Sequence, residues 1–156
     1  MNGGGRIHMV GVCGSSMSGL ALLLRGRGFI VTGSTVGGTQ HMETLLANGI
    51  QVMEVHSPER IAGSDLVVYS HAIHDDNVEL LAARELGTPT ISRSTLLGCV
   101  SEGFRRYACV FSTHSKTTVT SMLAQILVDA GPTPPSTSAE PTTRGLPLSG
   151  GYQSCS

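Results

Sequence analysis

Short apolar runs alternate with helix-periodic segments from residue 6 to residue 131, and a glycine stands at nearly every change of period. No other feature constrains the fold as tightly. Residues 6–12, 29–32, 50–55, 66–70, 88–91 and 107–111 read as strands, the first carried by Ile7, Met9, Val10 and Val12. Residues 17–27, 41–48, 77–86, 94–101 and 117–130 read as helices from the recurrence of their apolar positions. Gly28, Gly49, Gly87 and Gly131 follow four of these helices, where a left-handed residue closes the last turn. Ser94 stands where a side-chain oxygen can cap the helix after it. Strands joined by helices lie parallel, with the helices on both faces of the sheet. The expected fold is therefore a three-layer α/β domain of Rossmann-like type. Ligands in such sheets sit beyond the carboxyl ends of the strands, which directs attention to the loops after the first and last strands.

Composition narrows the partners. Charged residues are 13% of the chain, and 10 Lys+Arg stand against 11 Asp+Glu for a formal charge of -1. A nucleic-acid face needs a clustered basic excess, and Arg105 with Arg106 is too short to supply one. The apolar stretches fall well short of the roughly 20 residues that span a bilayer. The opening Met-Asn-Gly-Gly-Gly-Arg lacks the apolar core of a secretory signal. A cytoplasmic location is the expectation, with neither nucleic acid nor membrane as partner. Cys13, Cys99, Cys109 and Cys155 are scattered and form no Cys-x-x-Cys pair, which reads as free thiols in a reducing compartment. From Pro132 the periodicity stops, and five of the seven prolines fall between Pro132 and Pro147. That composition predicts a disordered tail over residues 132–156.

Two loops carry chemistry. Gly11-Val12-Cys13-Gly14-Ser15-Ser16-Met17-Ser18-Gly19 joins the first strand to the first helix. A glycine-rich turn here lets backbone N–H groups approach a phosphate beside the positive end of the helix dipole. A dinucleotide fingerprint would place glycine at 11, 13 and 16. Cys13 and Ser16 stand at the last two, and Thr35 stands where an acid would read ribose hydroxyls. A nicotinamide- or flavin-dependent oxidoreductase is thereby disfavoured, while phosphate binding and an ordinary strand-to-helix turn both remain open.

The later loop, Ser112-Thr113-His114-Ser115-Lys116-Thr117-Thr118, follows an apolar strand and opens a helix. A P-loop places glycine before a Lys-Thr pair, its lysine on the outer phosphates and its hydroxyl on Mg²⁺. Lys116, the chain's single lysine, and Thr117 hold those positions, while Ser112 and Ser115 replace the glycines. A Cβ there costs on the order of 1 kcal/mol or more wherever the backbone needs a positive φ. An altered nucleotide loop and a Ser/Thr-rich helix start both fit these residues.

The two loops in this order carry a resemblance. Ile7-His8-Met9-Val10-Gly11-Val12, Gly14, Met17-Ser18-Gly19-Leu20-Ala21, Gly33-Ser34, Ser70-His71-Ala72-Ile73, Asn77 with Glu79, Arg93, Thr113-His114 and Lys116-Thr117-Thr118-Val119-Thr120-Ser121-Met122 match. Over about residues 6–131 the chain resembles the N-terminal part of the Mur ligases, most of all their alanine-adding members. The resemblance implies a Rossmann-like domain over residues 1–106 holding a UDP-N-acetylmuramate-like nucleotide sugar. It implies, over residues 107–131, the first strand and P-loop helix of a truncated ATP-binding central domain. The activity implied is ATP-dependent amide ligation in peptidoglycan synthesis, through an acyl phosphate. Gly11, Gly14, Ser15, Ser16, Met17 and Ser18 would face the UDP diphosphate, with Ser34 and His71 near the nucleoside. Ser112, Thr113, His114, Ser115, Lys116, Thr117 and Thr118 would bind ATP, with Thr117 on Mg²⁺.

The family's glycines are replaced here at Cys13, Ser16, Ser112 and Ser115, its aspartate after Gly-Ser by Thr35, and its proline after Asn77 by Val78. The expectation is UDP-sugar binding without ligation by this chain alone, and no residue is assigned a catalytic role. The alternative is a non-catalytic interaction module, with a protein partner covering the apolar face at residues 122–127. His71, His74, Asp75 and Asp76 read as a solvated loop in preference to a metal cluster. Asp75, Asp76 and Glu79 read as negative charge at a helix N-terminus in preference to acid–base groups.

Overall fold

Five short strands, each parallel to its neighbours, make up the sheet: β1 (Arg6–Val10), β2 (Ile30–Ser34), β3 (Gln51–Met53), β4 (Leu66–Tyr69) and β5 (Thr90–Ser92). They pair in the order β3-β2-β1-β4-β5. The computed structural model describes residues 4–37, 40–104, 110 and 113–129. Met1–Leu96 form one compact unit and Leu97–Ser156 a second.

β1 lies in the centre, and Ile7, His8, Met9 and Val10 are all buried. Its end is in register with both neighbours, Val10 opposite Ser34 of β2 and Tyr69 of β4. The chain adds β2 and β3 on one side, then returns to add β4 and β5 on the other. Right-handed crossovers then put α1 (Ser15–Gly26) and α2 (Met42–Ala47) on one face and α3 (Val78–Glu85) on the opposite one. A 3-10 turn, Pro58–Ile61, packs against α3. The direction of winding reverses between β1 and β4, and a crevice opens beyond their carboxyl ends. The parallel α/β sheet expected from the alternation is the one observed.

The two faces are filled differently. Met17, Leu20, Ala21 and Leu24 recur at helical spacing and are buried on α1. On the α3 side, Val10, Ile61, Val67, Leu80, Ala82 and Ala83 cluster, with Tyr69 and Ile73 against them. Full burial of one such aliphatic side chain contributes about 1.5–3 kcal/mol. Gly33 marks a close approach: a Cβ there would lie 2.5 Å from Val12 Cβ and 2.8 Å from the Met9 carbonyl oxygen. Val12 thus sits directly over β2 and ties the turn after β1 to the sheet.

Several boundaries differ from the sequence reading. β1 ends at Val10, before residue 12, because Gly11 takes φ +79° and turns the chain. Gly28, Gly49 and Gly87 close their helices at positive φ as expected. Ser94 does not cap the next helix. α4 (Arg93–Glu102) begins one residue before it, and Ser92 Oγ accepts the Thr95 N–H at 3.2 Å. The cap is Ser92, and Ser94 Oγ shares a 2.8 Å hydrogen bond with it. The 3-10 turn is too short to show a period and was not anticipated. In the second unit α5 runs Lys116–Asp129. The expected strand over 107–111, Val110 apart, and the expected tail over 132–156 lie outside the described residues. Among the described residues no helix is long and apolar enough to cross a membrane.

Candidate functional site

The turn after β1 is held from below. The Ser34 carbonyl oxygen at the end of β2 accepts the N–H groups of Gly11 and Val12 at 2.9 and 3.0 Å. Gly14 N–H then closes on Gly11 O at 3.2 Å, and Ser18 N–H on Gly14 O at 2.8 Å. Gly14 is the N-cap of α1, and no side chain caps it. The first turn of α1 carries no acid. Its first N–H groups and the positive end of its dipole are therefore capped by no side chain and faced by no acid of the turn itself.

Gly14, Ser15 and Ser16 are exposed at this end. An Arg93 Nη1–H reaches Ser16 Oγ at 3.4 Å and brings a cation to the turn. Exposed His71 follows β4, its Nε2 3.3 Å from Ser94 Oγ. Ser70 and Ile73 lie beside Gly11, where a Cβ would come within 3.7 and 3.5 Å of them. Open N–H groups, two hydroxyls and a guanidinium at a switch point can hold a polyanion.

The structure divides the expected sugar-nucleotide residues into two sets. Gly14, Ser15, Ser16 and His71 are exposed, and Gly11 is half-buried. Met17 is 2% exposed, Ser18 Oγ donates to Ser15 O at 3.0 Å, and Ser34 is fully buried. Met17, Ser18 and Ser34 thus support the turn from inside. The resemblance includes Arg93 without implying a role for it. Its usable signal was position: it is the first residue after β5, whose carboxyl end lies on the same edge as that of β1.

Beneath the turn lies a buried carboxylate. Glu79 and His8 are both 0% exposed. Ser34 Oγ donates to Glu79 Oε2 at 2.5 Å, and His56 Nδ1 lies 3.0 Å from the same oxygen and 2.8 Å from Ser34 Oγ. Ser57 N–H reaches Glu79 Oε1 at 3.2 Å, and His8 Nε2 faces that oxygen at 3.4 Å, an ion-pair distance without hydrogen-bond alignment. The other nitrogen of His8 lies 2.9 Å from Thr32 Oγ1. Burial pushes the Glu79 carboxyl up, but the contacts from His8, Ser34 and Ser57 outweigh it and hold the group below its ordinary value. Glu79 does stand in the first turn of α3, as expected, but buried and aimed into the sheet. Asp75 is the solvated acid, paired with Arg84 at 3.3 Å on the surface.

Cys13 is buried beside the turn and touches Thr35. Burial pushes its thiol up; the hydrogen bond with Thr35 pulls the other way, and the Glu54 charge raises it further.

At the second loop, Ser112 lies outside the described residues. Thr113, His114, Ser115, Lys116, Thr117 and Thr118 are exposed, and α5 opens at Lys116. Ser115 takes φ +60°, and its carbonyl oxygen accepts the Val119 N–H at 3.0 Å to start the helix. It is the one non-glycine residue with positive φ among those described.

The sequence profile described as "Mur ligase family, catalytic domain" matches residues 6–105. The chain belongs to the Mur ligase family. It is 45% identical over 126 residues to the UDP-N-acetylmuramate–L-alanine ligase of Caldanaerobacter subterraneus subsp. tengcongensis, covering 81% of this chain and 27% of that one. With the enzyme of the same name from Acetivibrio thermocellus it shares 43% over 122 residues, 78% of this chain and 26% of that one. The crystal structure of the UDP-N-acetylmuramate-alanine ligase from Thermotoga maritima superposes with a TM-score of 0.75 at 32% identity, over 80% of this chain and 29% of that one. This Mur ligase chain thus spans about a quarter of the length of the curated relatives it matches.

Membership gives the departures from the family pattern a physical meaning. Cys13 and Thr35, expected from the resemblance to stand in for a glycine and an aspartate, touch each other. Cys13 and Ser16 do not take positive φ, so a side chain is tolerated at both. Ser115 does take it, where glycine would carry no penalty. For Mg-ATP the fit is therefore incomplete. Lys116 and Thr117 open a helix with no acid in its first turn, but a Cβ stands at the left-handed residue before the lysine.

Proposed function

We propose that this chain holds the UDP-sugar substrate of a peptidoglycan amide ligase, and that alone it binds a UDP-N-acetylmuramate-like nucleotide sugar without completing ligation. The observation that carries the reading is the uncapped, acid-free N-terminus of α1 at the switch point, with Arg93 beside Ser16. A diphosphate supplies the anion that this end lacks, and Arg93 adds a charge-assisted contact. His71 stands at the same edge to meet the nucleoside. Residues 1–106 form the sugar-nucleotide part in this reading, and residues 107–131 begin the ATP-binding part. ATP and Mg²⁺ would meet Lys116 and Thr117, and Ser115 makes that site a poor one.

Calorimetric titration with UDP-N-acetylmuramate and, separately, with Mg-ATP tests the proposal, together with an assay of alanine-dependent ADP release. Saturable binding of the nucleotide sugar is expected, with no ADP release. Absence of binding removes the first half of the proposal, and ADP release by the purified chain removes the second.

A second reading, an interaction module, draws on α5. Val119, Met122 and Ile126 are exposed along it, the last two at 64% and 63%. A protein partner covering that face would account for their exposure. A monomer that stays monodisperse on dilution and co-purifies with nothing counts against it.

A further inference from the structure

The strand ends and turns at the carboxyl edge of the sheet are individually short, and something must hold the turn after β1 at one height above β2. Its two anchoring hydrogen bonds, from Gly11 and Val12, both end on one atom, the Ser34 carbonyl oxygen. Ser34 is itself fixed through its hydroxyl, which donates to Glu79 Oε2. Glu79 is fixed in turn by the cap of its own helix and by two other segments. Asn77 Oδ1 accepts its own N–H at 2.9 Å and caps α3. His8 approaches it from β1, and His56 and Ser57 from the segment after β3.

We propose that Glu79 is a positioning residue for nucleotide-sugar binding: through Ser34 it sets the height and orientation of the Gly11–Ser18 turn against the diphosphate. The proposal rests on the reading of that turn as the diphosphate site. Glu79 touches no ligand in this account. It acts on the acceptor of the Gly11 and Val12 N–H groups, and the N–H groups at the start of α1 follow from there. A carboxylate serves where an amide does not, because both its oxygens accept and four groups, the Ser34 hydroxyl, the Ser57 N–H and two imidazole nitrogens, converge on them. An apolar residue of the same size would fill the space and leave the Ser34 hydroxyl, the Ser57 N–H and two imidazoles without their common partner.

The test uses the full chain, ¹⁵N-labelled, as wild type, Glu79→Gln, Ser34→Ala and the double variant. Two readouts are taken. The first is amide hydrogen exchange at Gly11 and Val12 without ligand, with Val67 and Phe29 as remote controls, since their N–H groups bond Pro89 O and Leu24 O. The second is the calorimetric Kd for UDP-N-acetylmuramate. Each single variant should speed exchange at Gly11 and Val12 by about ten-fold and raise the Kd by about ten-fold, and the double variant should be no worse than either, because both act through one link. Uniform acceleration that includes Val67 and Phe29 would mean general support of the fold and would overturn the proposal. So would unchanged exchange at Gly11 and Val12. If Glu79→Gln does not fold, Ser34→Ala, which deletes one hydroxyl, decides the same question. If wild type binds no nucleotide sugar, the functional reading fails, while the exchange data still decide whether Glu79 sets the turn.

Discussion

Single residues in this chain carry opposite electrostatic and conformational loads. Glu79 is a buried acid held below its ordinary value of 4.5. A carboxyl whose folded value is depressed contributes stability above its unfolded value and loses that contribution as pH falls through the folded one. Acid unfolding of the wild type should therefore steepen below about pH 4.5. Glu79→Gln should be less stable near neutrality and should show a shallower acid limb, read from urea midpoints at a series of pH values. Equal slopes for the two proteins would contradict the assignment. Ser115 carries a conformational load, a Cβ at φ +60°. Ser115→Gly should stabilise the start of α5 by roughly 1 kcal/mol, seen as slower exchange of the Val119 amide that bonds to it. The load on Glu79 was not legible in the sequence alone. Glu79 meets its partners across 22 to 71 positions of chain, and no local period encodes such a meeting. The glycine pattern did foreshadow Ser115, because a P-loop needs a left-handed residue there.

At the scale of elements, the sequence was informative wherever an element had a period. α1, α3 and α5 sit within a residue or two of their expected spans, since their buried positions recur at helical spacing. Reading failed where the signal was one side chain or one short turn. Ser92, not Ser94, caps α4, and the two serine hydroxyls lie only 2.8 Å apart. The side chains of Met17 and Ser18, expected at the diphosphate, face inward because they fall on the buried stripe of α1. Two element-level outcomes follow. Asn77→Ala removes the α3 cap and should cost about 1 kcal/mol in an equilibrium melt. Ser16→Asp places a carboxylate in the first turn of α1 beside Arg93. It should leave the melting temperature unchanged or raise it, since an acid at a helix N-terminus contributes about 0.3–1 kcal/mol. The same change should weaken nucleotide-sugar binding by at least about ten-fold, because like charges then meet.

For the whole molecule, the alternation of strands and helices determined a parallel sheet, but not the order of its strands. Parallel strands put the Gly11 turn, the Ser70–Ile73 segment and Arg93 on one edge of the sheet, and the order β3-β2-β1-β4-β5 makes the strands that carry them neighbours there. That convergence is what the proposed diphosphate site rests on. A thermal-shift titration of wild type and Ser16→Asp with UDP-N-acetylmuramate tests it most directly. At 100 times the dissociation constant, wild type should gain about 2.7 kcal/mol, and Ser16→Asp at the same ligand concentration should gain at least about 1.4 kcal/mol less, the equivalent of a ten-fold loss of affinity. No shift in wild type, or an equal shift in both proteins, would contradict the placement of the diphosphate at the start of α1.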